Sequence, residues 1–174
     1  MPFELTTVSA DGQPVRALHG LKIMPTYSIA QLLGKQIDVL FVPGGGAQDV
    51  EMFAKEHPEV LKWLQQRSKV TPGIASVCIG AGLMALAGLP EGLQVTTHHS
   101  YLERLRELAP NATVIPGVRY VDNKLPGSNV LSSAGVSSGL DLAFYLVGRL
   151  LSPEAAQATA NVMEYNGTTN WGLA

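Results

Sequence analysis

The sequence predicts an α/β domain built on a mostly parallel sheet, and three observations carry that expectation. Short apolar runs alternate along the chain with longer stretches of helical periodicity. Three of those runs, at 38–42, 74–77 and 130–132, are soon followed by glycine, at Gly44, Gly80 and Gly135. Val39-Leu40-Phe41-Val42 is apolar at four successive positions, the mark of a strand covered on both faces.

The elements follow in order. Residues 3–8 alternate and are rich in Thr and Val, a strand that ends at Asp11-Gly12. Residues 15–24 read as extended, closed by Pro25, and 28–33 as a short helix with Ser28 as N-cap. After the strand 38–42 and the turn Pro43-Gly44-Gly45-Gly46, helices are expected over 49–56 and 58–68, the second begun by Pro58. The strand 74–77 leads to a small-residue helix over 80–87. A strand at 93–97 and a helix at 101–108 capped by Ser100 come next, with Pro110 as terminator. Strands are expected at 114–115, 119–121 and 130–132, with Val121-Asp122-Asn123-Lys124 as a hairpin turn. Ser133-Ala134-Gly135 is a turn, and Ser137 or Ser138 begins a helix running to about 151. Ser152-Pro153-Glu154 is N-cap, first-turn proline and first-turn acid of a last helix ending near 164.

Composition narrows the function classes. The 174 residues read as one domain, 1–174, without linker or repeat. Hydrophobic residues are 46% of the chain and charged residues 15%, which excludes a disordered chain or a coiled coil. Twelve basic and 14 acidic residues leave a net charge of −2, so no cationic surplus exists for a nucleic-acid partner. No apolar run approaches a membrane span, and the first residues lack the basic flank and apolar stretch of a signal peptide. Cys78 is the single cysteine, so no intrachain disulfide forms, in keeping with a reducing cytoplasm. His19 and His57 lie on segments unrelated to His98 and His99, so neither a metal site nor a cofactor is expected.

Ligands of parallel sheets bind at the carboxyl ends of the strands, which directs attention to four loops. Cys78 follows an apolar strand directly and precedes a helix rich in Gly and Ala, with small Ser76 and Gly80 two positions to either side. That is the pattern of a nucleophile elbow, in which a sharp turn lifts the side chain out of the sheet and the helix amides favour a thiolate. Packing under the helix is the plainer role of such a cysteine. Gly44-Gly45-Gly46 is either a wall of oxyanion-binding amides facing Cys78 or an ordinary tight turn. Of the adjacent His98 and His99, at most one faces the thiol from an extended segment; hydrogen bonding at a sheet end is the alternative. Ser133, Ala134 and Gly135 are candidates for lining the pocket, and the serines after them for capping the helix. Asp141, in the first helical turn, reads as a partner of the helix dipole.

Four blocks together resemble the ThiJ/PfpI superfamily, of the class I glutamine-amidotransferase-like fold. They are Val42-Pro43-Gly44-Gly45, Ala75 to Ala81 around the cysteine, Val95-Thr96-Thr97-His98, and Ser133 to Ala143. The branch they most resemble holds isonitrile hydratases and the ligand domains of certain AraC-type regulators. The resemblance implies a flavodoxin-like three-layer sandwich, commonly a homodimer. It implies a nucleophilic or oxidation-sensitive Cys78, a nearby His98, and oxyanion-binding amides at Gly45, Gly46 and Ile79. It also implies pocket contacts at His99 and at Ser133 to Gly135. Ile79 stands where isonitrile hydratases carry Thr, and His99 where they carry Trp. The family's opening strand, loop and helix, with the acid that touches the cysteine, have no counterpart ahead of residue 3. On that comparison, residues 3–8 lack their usual partner strand, Cys78 lacks its acid, and isonitrile hydratase activity is expected to be weak. Two function classes follow: a cofactor-free cysteine enzyme acting on a small electrophile, and a non-catalytic module binding a small effector or sensing oxidants. DNA binding would require a helix-turn-helix extension, for which 167–174 are too few residues.

Overall fold

A computed structural model describes residues 3–89, 91–123 and 129–166. Its centre is a four-stranded sheet of β5 (Val39–Val42), β6 (Gly73–Val77), β10 (Val130–Ser133) and β9 (Tyr120–Asp122), in that order. The first three are mutually parallel and β9 is antiparallel to β10. Register places Leu40, Ile74 and Val130 in one row and Phe41, Ala75 and Leu131 in the next, so alternate rows point to opposite faces.

Each row meets its own helices. Helices α2 (Pro58–Arg67) and α3 (Gly80–Leu86) bury Val60, Trp63, Leu64 and Met84 against Leu40, Ile74 and Val130. Helices α5 (Ser138–Leu150) and α6 (Pro153–Val162) bury Leu142, Tyr145, Leu146, Ala156 and Ala160 against Ala75 and Leu131. The result is helix, sheet, helix: the three-layer α/β sandwich that the sequence predicts. A third cluster joins Ile79 and Ala81 to Val95, Tyr101, Leu105 and Val114, where α4 (Leu102–Leu108) packs beside the ladder of β7 (Gln94–Val95) and β8 (Thr113–Val114). Among the described residues no helix is long and apolar enough to cross a membrane.

The N-terminal third departs most from expectation. The strand at 3–8 shrinks to β1 (Val8–Ser9), which pairs in parallel with β4 (Tyr27–Ser28). The Thr7 carbonyl accepts from the N–H groups of Thr26 and Tyr27 at 2.8 and 3.1 Å, so this end pairs with the 26–28 segment and not with the main sheet, while Val8 and Tyr27 pack on the core cluster. The extended stretch 15–24 folds back on itself as β2 (Val15–Arg16) against β3 (Lys22–Ile23), around a 3-10 turn at Leu18–Gly20. The helix at 28–33 is a 3-10 turn, Ala30–Leu32, whose N-cap is Ile29 and not the expected Ser28, although Ser28, one residue upstream, still bonds into the turn. Ser28 Oγ accepts from the Gln31 N–H and Gln31 Oε1 accepts from the Ser28 N–H, a reciprocal capping box. No described strand pairs with the outer edge of β5.

Elsewhere the differences are local. Helix α1 (Ala47–Glu56) begins two residues early, with Gly46 as N-cap. Ser100 does not cap the helix at 101–108: its N–H donates to His98 Nδ1, and a 3-10 turn, His99–Tyr101, precedes α4. The side chain before the turn supplies the acceptor, so the cap moves two residues upstream. Val121 and Asp122 stay within β9, so the hairpin turn does not begin there, and Lys124 lies outside the described residues. Ser152 caps α6 as expected, its Oγ accepting from the Ala155 N–H at 3.2 Å.

Candidate active site

Cys78 joins β6 to α3 with φ of 57°, in the left-handed region that a non-glycine residue occupies at a cost. Three bonds hold it there. The Cys78 N–H is shared between the carbonyls of Ser133 and Ala134, at 3.1 Å each. The Cys78 carbonyl accepts from Thr97 Oγ1 at 2.7 Å. The thiol itself is half-buried and makes no hydrogen bond among the described residues. The elbow that the sequence predicts is therefore present in backbone form, clamped from the ends of two neighbouring segments.

Glycines make the tight turn fit. A Cβ on Gly80 would lie 2.4 Å from the Val42 carbonyl oxygen and 2.7 Å from that of Pro43. A Cβ on Gly44 would lie 2.9 Å from Cys78 Cβ and 3.2 Å from the Ile79 nitrogen. Gly44, more than the expected Gly45 and Gly46, is thus the residue that touches the elbow. Gly45 has only Val50 near its Cβ position, and Gly46 caps α1 beside the Asp49 carboxylate. The Ile79 N–H and the N–H groups of Gly44, Gly45 and Gly46 donate to no described residue, which leaves them open to an anion or to water.

Beside the elbow lies a cavity of about 390 Å³, lined among others by His98, His99, Arg119, Ala134, Gly135 and Ser137. Ser133 is fully buried behind it, and Cys78 borders the cavity through Ala134 rather than lining it. His98 packs on Gly135, whose Cβ position is 2.6 Å from His98 Cδ2 and 3.3 Å from Nε2. Its Nδ1 accepts from the Ser100 N–H, so in the neutral ring the proton sits on Nε2. His99 stacks on His98 with ring centroids 4.1 Å apart. No hydrogen bond joins His98 to the Cys78 thiol among the described residues.

Two ion-pair clusters brace these loops. Arg104 binds Glu51 through two bonds of 2.8 Å, and buried Tyr101 donates to the same carboxylate at 2.9 Å. Those bonds hold the Glu51 carboxyl down at about 2, and burial together with Glu51 pushes the Tyr101 hydroxyl up to about 12. The cluster ties α1, which follows the glycine turn, to the turn that follows His98. On the other side Arg119 Nε donates to fully buried Asp141 at 2.6 Å, and Tyr165 donates to the second Asp141 oxygen at 3.0 Å. Hydrogen bonding to Asp141 raises the Arg119 pKa. Asp141 therefore serves a tertiary ion pair as well as the first turn of α5. Thr97 and Arg119 escaped the sequence reading because their partners lie 19 and 22 residues away. Gly44 was visible in the triplet, but its neighbours looked equally suited. Among the described residues no group of three His, Cys, Asp or Glu is placed to hold a metal ion.

A family profile matches residues 2–149 of this chain, covering the elbow, the glycine turn and the cavity wall. The chain belongs to the DJ-1/PfpI family. It is 28% identical over 152 residues to the isonitrile hydratase of Pseudomonas putida, covering 87% of this chain and 61% of that protein. It is 27% identical over 165 residues to the HTH-type transcriptional regulator GbdR of Pseudomonas aeruginosa (strain UCBPP-PA14), covering 94% of this chain and 42% of the regulator. Among solved structures, a ThiJ/PfpI family protein from Pseudomonas syringae superposes with a TM-score of 0.82 at 27% identity, over 95% of this chain and 64% of that one. The chain thus spans less than two thirds of the length of these DJ-1/PfpI relatives. The family holds enzymes and regulators alike.

Proposed function

We propose that this DJ-1/PfpI chain is a cysteine-dependent enzyme acting on a small electrophilic substrate without a cofactor. The observation that carries the reading is Cys78 at φ 57°, with its thiol unbonded and the Ile79 and Gly44–Gly46 amides free beside it. The Cys78 thiolate adds to an electrophilic carbon, such as that of an isonitrile or an α-ketoaldehyde, forming a C–S bond. In an α-ketoaldehyde the negative charge moves onto the former aldehyde oxygen, where the free amides of Ile79, Gly45 and Gly46 stabilise it until it is protonated; in an isonitrile the attacked carbon itself takes the proton, giving a thioimidate. In the isonitrile-derived thioimidate, water adds at the same carbon and the C–S bond breaks to release a formamide. In the hemithioacetal, the C1 proton first moves to C2, leaving a thioester that water hydrolyses to a 2-hydroxy acid, and either route returns the thiolate. With Nδ1 accepting from Ser100, the neutral His98 ring offers its Nε2–H as a hydrogen-bond donor to a substrate in the cavity. His99, Ala134 and Gly135 shape the wall against which the substrate rests, with Ser133 behind them. The similarity to isonitrile hydratase supports hydration as the reaction type.

Turnover of an isonitrile and of methylglyoxal by the native chain and by Cys78→Ala tests this. Loss of turnover in the variant is expected; full turnover without the thiol refutes the reading. The rate of Cys78 alkylation against pH tests activation, since an unactivated thiol titrates near 8.5.

A second reading rests on the similarity to GbdR together with the unbonded thiol. On it the domain binds a small effector, or Cys78 is oxidised to a sulfinate held by the same amides. Mass spectrometry after mild peroxide treatment separates the two; an unmodified Cys78 counts against the redox form. We infer that the protein acts in the cytoplasm, as a homodimer, on either reading.

A further inference from the structure

The cavity beside the elbow presents hydrogen-bond donors and a fixed cation, and no acidic residue is among those lining it. Arg119 reaches it from the segment entering β9, and Ser137 from the start of α5, a helix of 13 residues. The guanidinium is oriented from behind. Nε donates to Asp141, Nη2 pairs with the same oxygen, and Ser137 Oγ accepts from Nη1 and Nη2 at 3.2 Å each. Asp141 is fully buried, so it fixes the guanidinium without facing the cavity. The Arg119 side chain remains 44% exposed. A guanidinium has five N–H donors; Asp141 and Ser137 take four and Tyr165 lies within hydrogen-bonding reach as well, so what Arg119 offers the cavity is the exposed face of a charged group. Across the cavity wall, the His98 Nε2–H supplies a further donor.

A neutral ligand would leave such donors poorly matched, whereas a carboxylate satisfies several at once and gains a charge-assisted bond to arginine. The volume, about 390 Å³, is at the small end for ligand sites and suits a compact acid. We propose that this cavity binds its small ligand through a carboxylate, with Arg119 as the anchoring cation and Asp141 as the residue that positions it. The proposal rests on the reading of this cavity as the ligand site of the Cys78 centre and names the ligand class that it takes.

Saturation-transfer NMR with propionate and its neutral isostere propionamide tests it, on the full chain carrying Cys78→Ser so that no turnover is involved. Propionate is expected to bind at least about tenfold more tightly than propionamide. Val136 is 83% exposed on the cavity lining, so Val136→Glu adds an opposing charge without touching the Arg119–Asp141 pair. That variant is expected to weaken propionate about tenfold and leave propionamide unchanged, while Val136→Gln behaves as the parent. The double variant Arg119→Gln/Asp141→Asn removes both charges of the pair together and is expected to abolish the preference. Equal affinity for the two probes, a preference that survives in the folded double variant, or tighter binding of inorganic phosphate overturns the proposal. The two readings fail separately. A carboxylate preference with no Cys78-dependent turnover leaves this inference standing and removes the catalytic one; turnover of neutral electrophiles without the preference does the reverse.

Discussion

Replacing Gly80 with alanine tests whether the elbow is as tightly built as its geometry implies. Gly80 opens α3, where alanine would ordinarily stabilise a helix by about 1 kcal/mol over glycine. Here the added Cβ meets the Val42 and Pro43 carbonyl oxygens at 2.4 and 2.7 Å, and the Pro43 carbonyl carbon at 3.0 Å. All three are backbone atoms at the end of β5, so no side chain can swing aside. Overpacking of this kind costs about 3 kcal/mol or more. The clash therefore outweighs the propensity gain, and a net loss of about 2 kcal/mol is expected, with Tm lower by about 4–8 °C. Urea unfolding followed by circular dichroism measures the loss. Gly45→Ala is the internal control: its Cβ would meet only Val50 Cγ2, at 3.7 Å, an ordinary contact. It should stay within about 0.5 kcal/mol of the parent. Relieving the clash also pushes the Pro43–Gly44 turn away from Cys78, so the thiol alkylation rate should change in Gly80→Ala and not in Gly45→Ala. A Gly80→Ala protein as stable as the parent would refute the claim that β5 and α3 meet backbone to backbone at the elbow.

Other outcomes follow from individual bonds. Thr97→Val removes the buried donor to the Cys78 carbonyl, leaving that oxygen only the Ala81 N–H at 3.4 Å; urea unfolding should show a loss of about 1–2 kcal/mol. Because Glu51 is held at about 2, below its ordinary carboxylate value, its stabilisation is complete above that ordinary value and lost as pH falls toward 2. Tm measured from pH 6 to pH 2 should therefore show a gap between parent and Glu51→Gln that closes with acid; a constant gap contradicts the assignment. Arg119→Ala removes the cation from a fully buried carboxylate that keeps Tyr165 as a donor, whereas Asp141→Ala leaves a cation that is 44% exposed to water. The first should cost about 3 kcal/mol or more and the second clearly less, and equal losses in urea unfolding would contradict that asymmetry.

Much of this protein was legible in its sequence. The apolar run at Val39–Val42, the elbow at Cys78, the small residues of α3 and the Ser152-Pro153 start of α6 all appear where local pattern places them. Each signal spans only a few residues: strand alternation, helical spacing, a cap and its amide, a glycine where two backbones must touch. The N-terminal third was misread because alternation at 3–8 marks a strand-forming stretch without naming its partner, and most of it pairs with nothing in the main sheet. Tertiary structure alone decided that Thr97 holds the Cys78 carbonyl, that Gly44 rather than Gly45 meets the elbow, and that Arg119 turns its guanidinium toward the cavity against buried Asp141. These contacts join residues 19 to 34 positions apart. Patterns of polarity reveal which face of an element is buried, but the polar partners across a cavity are chosen by how the layers pack, and that choice leaves no periodic trace in the chain.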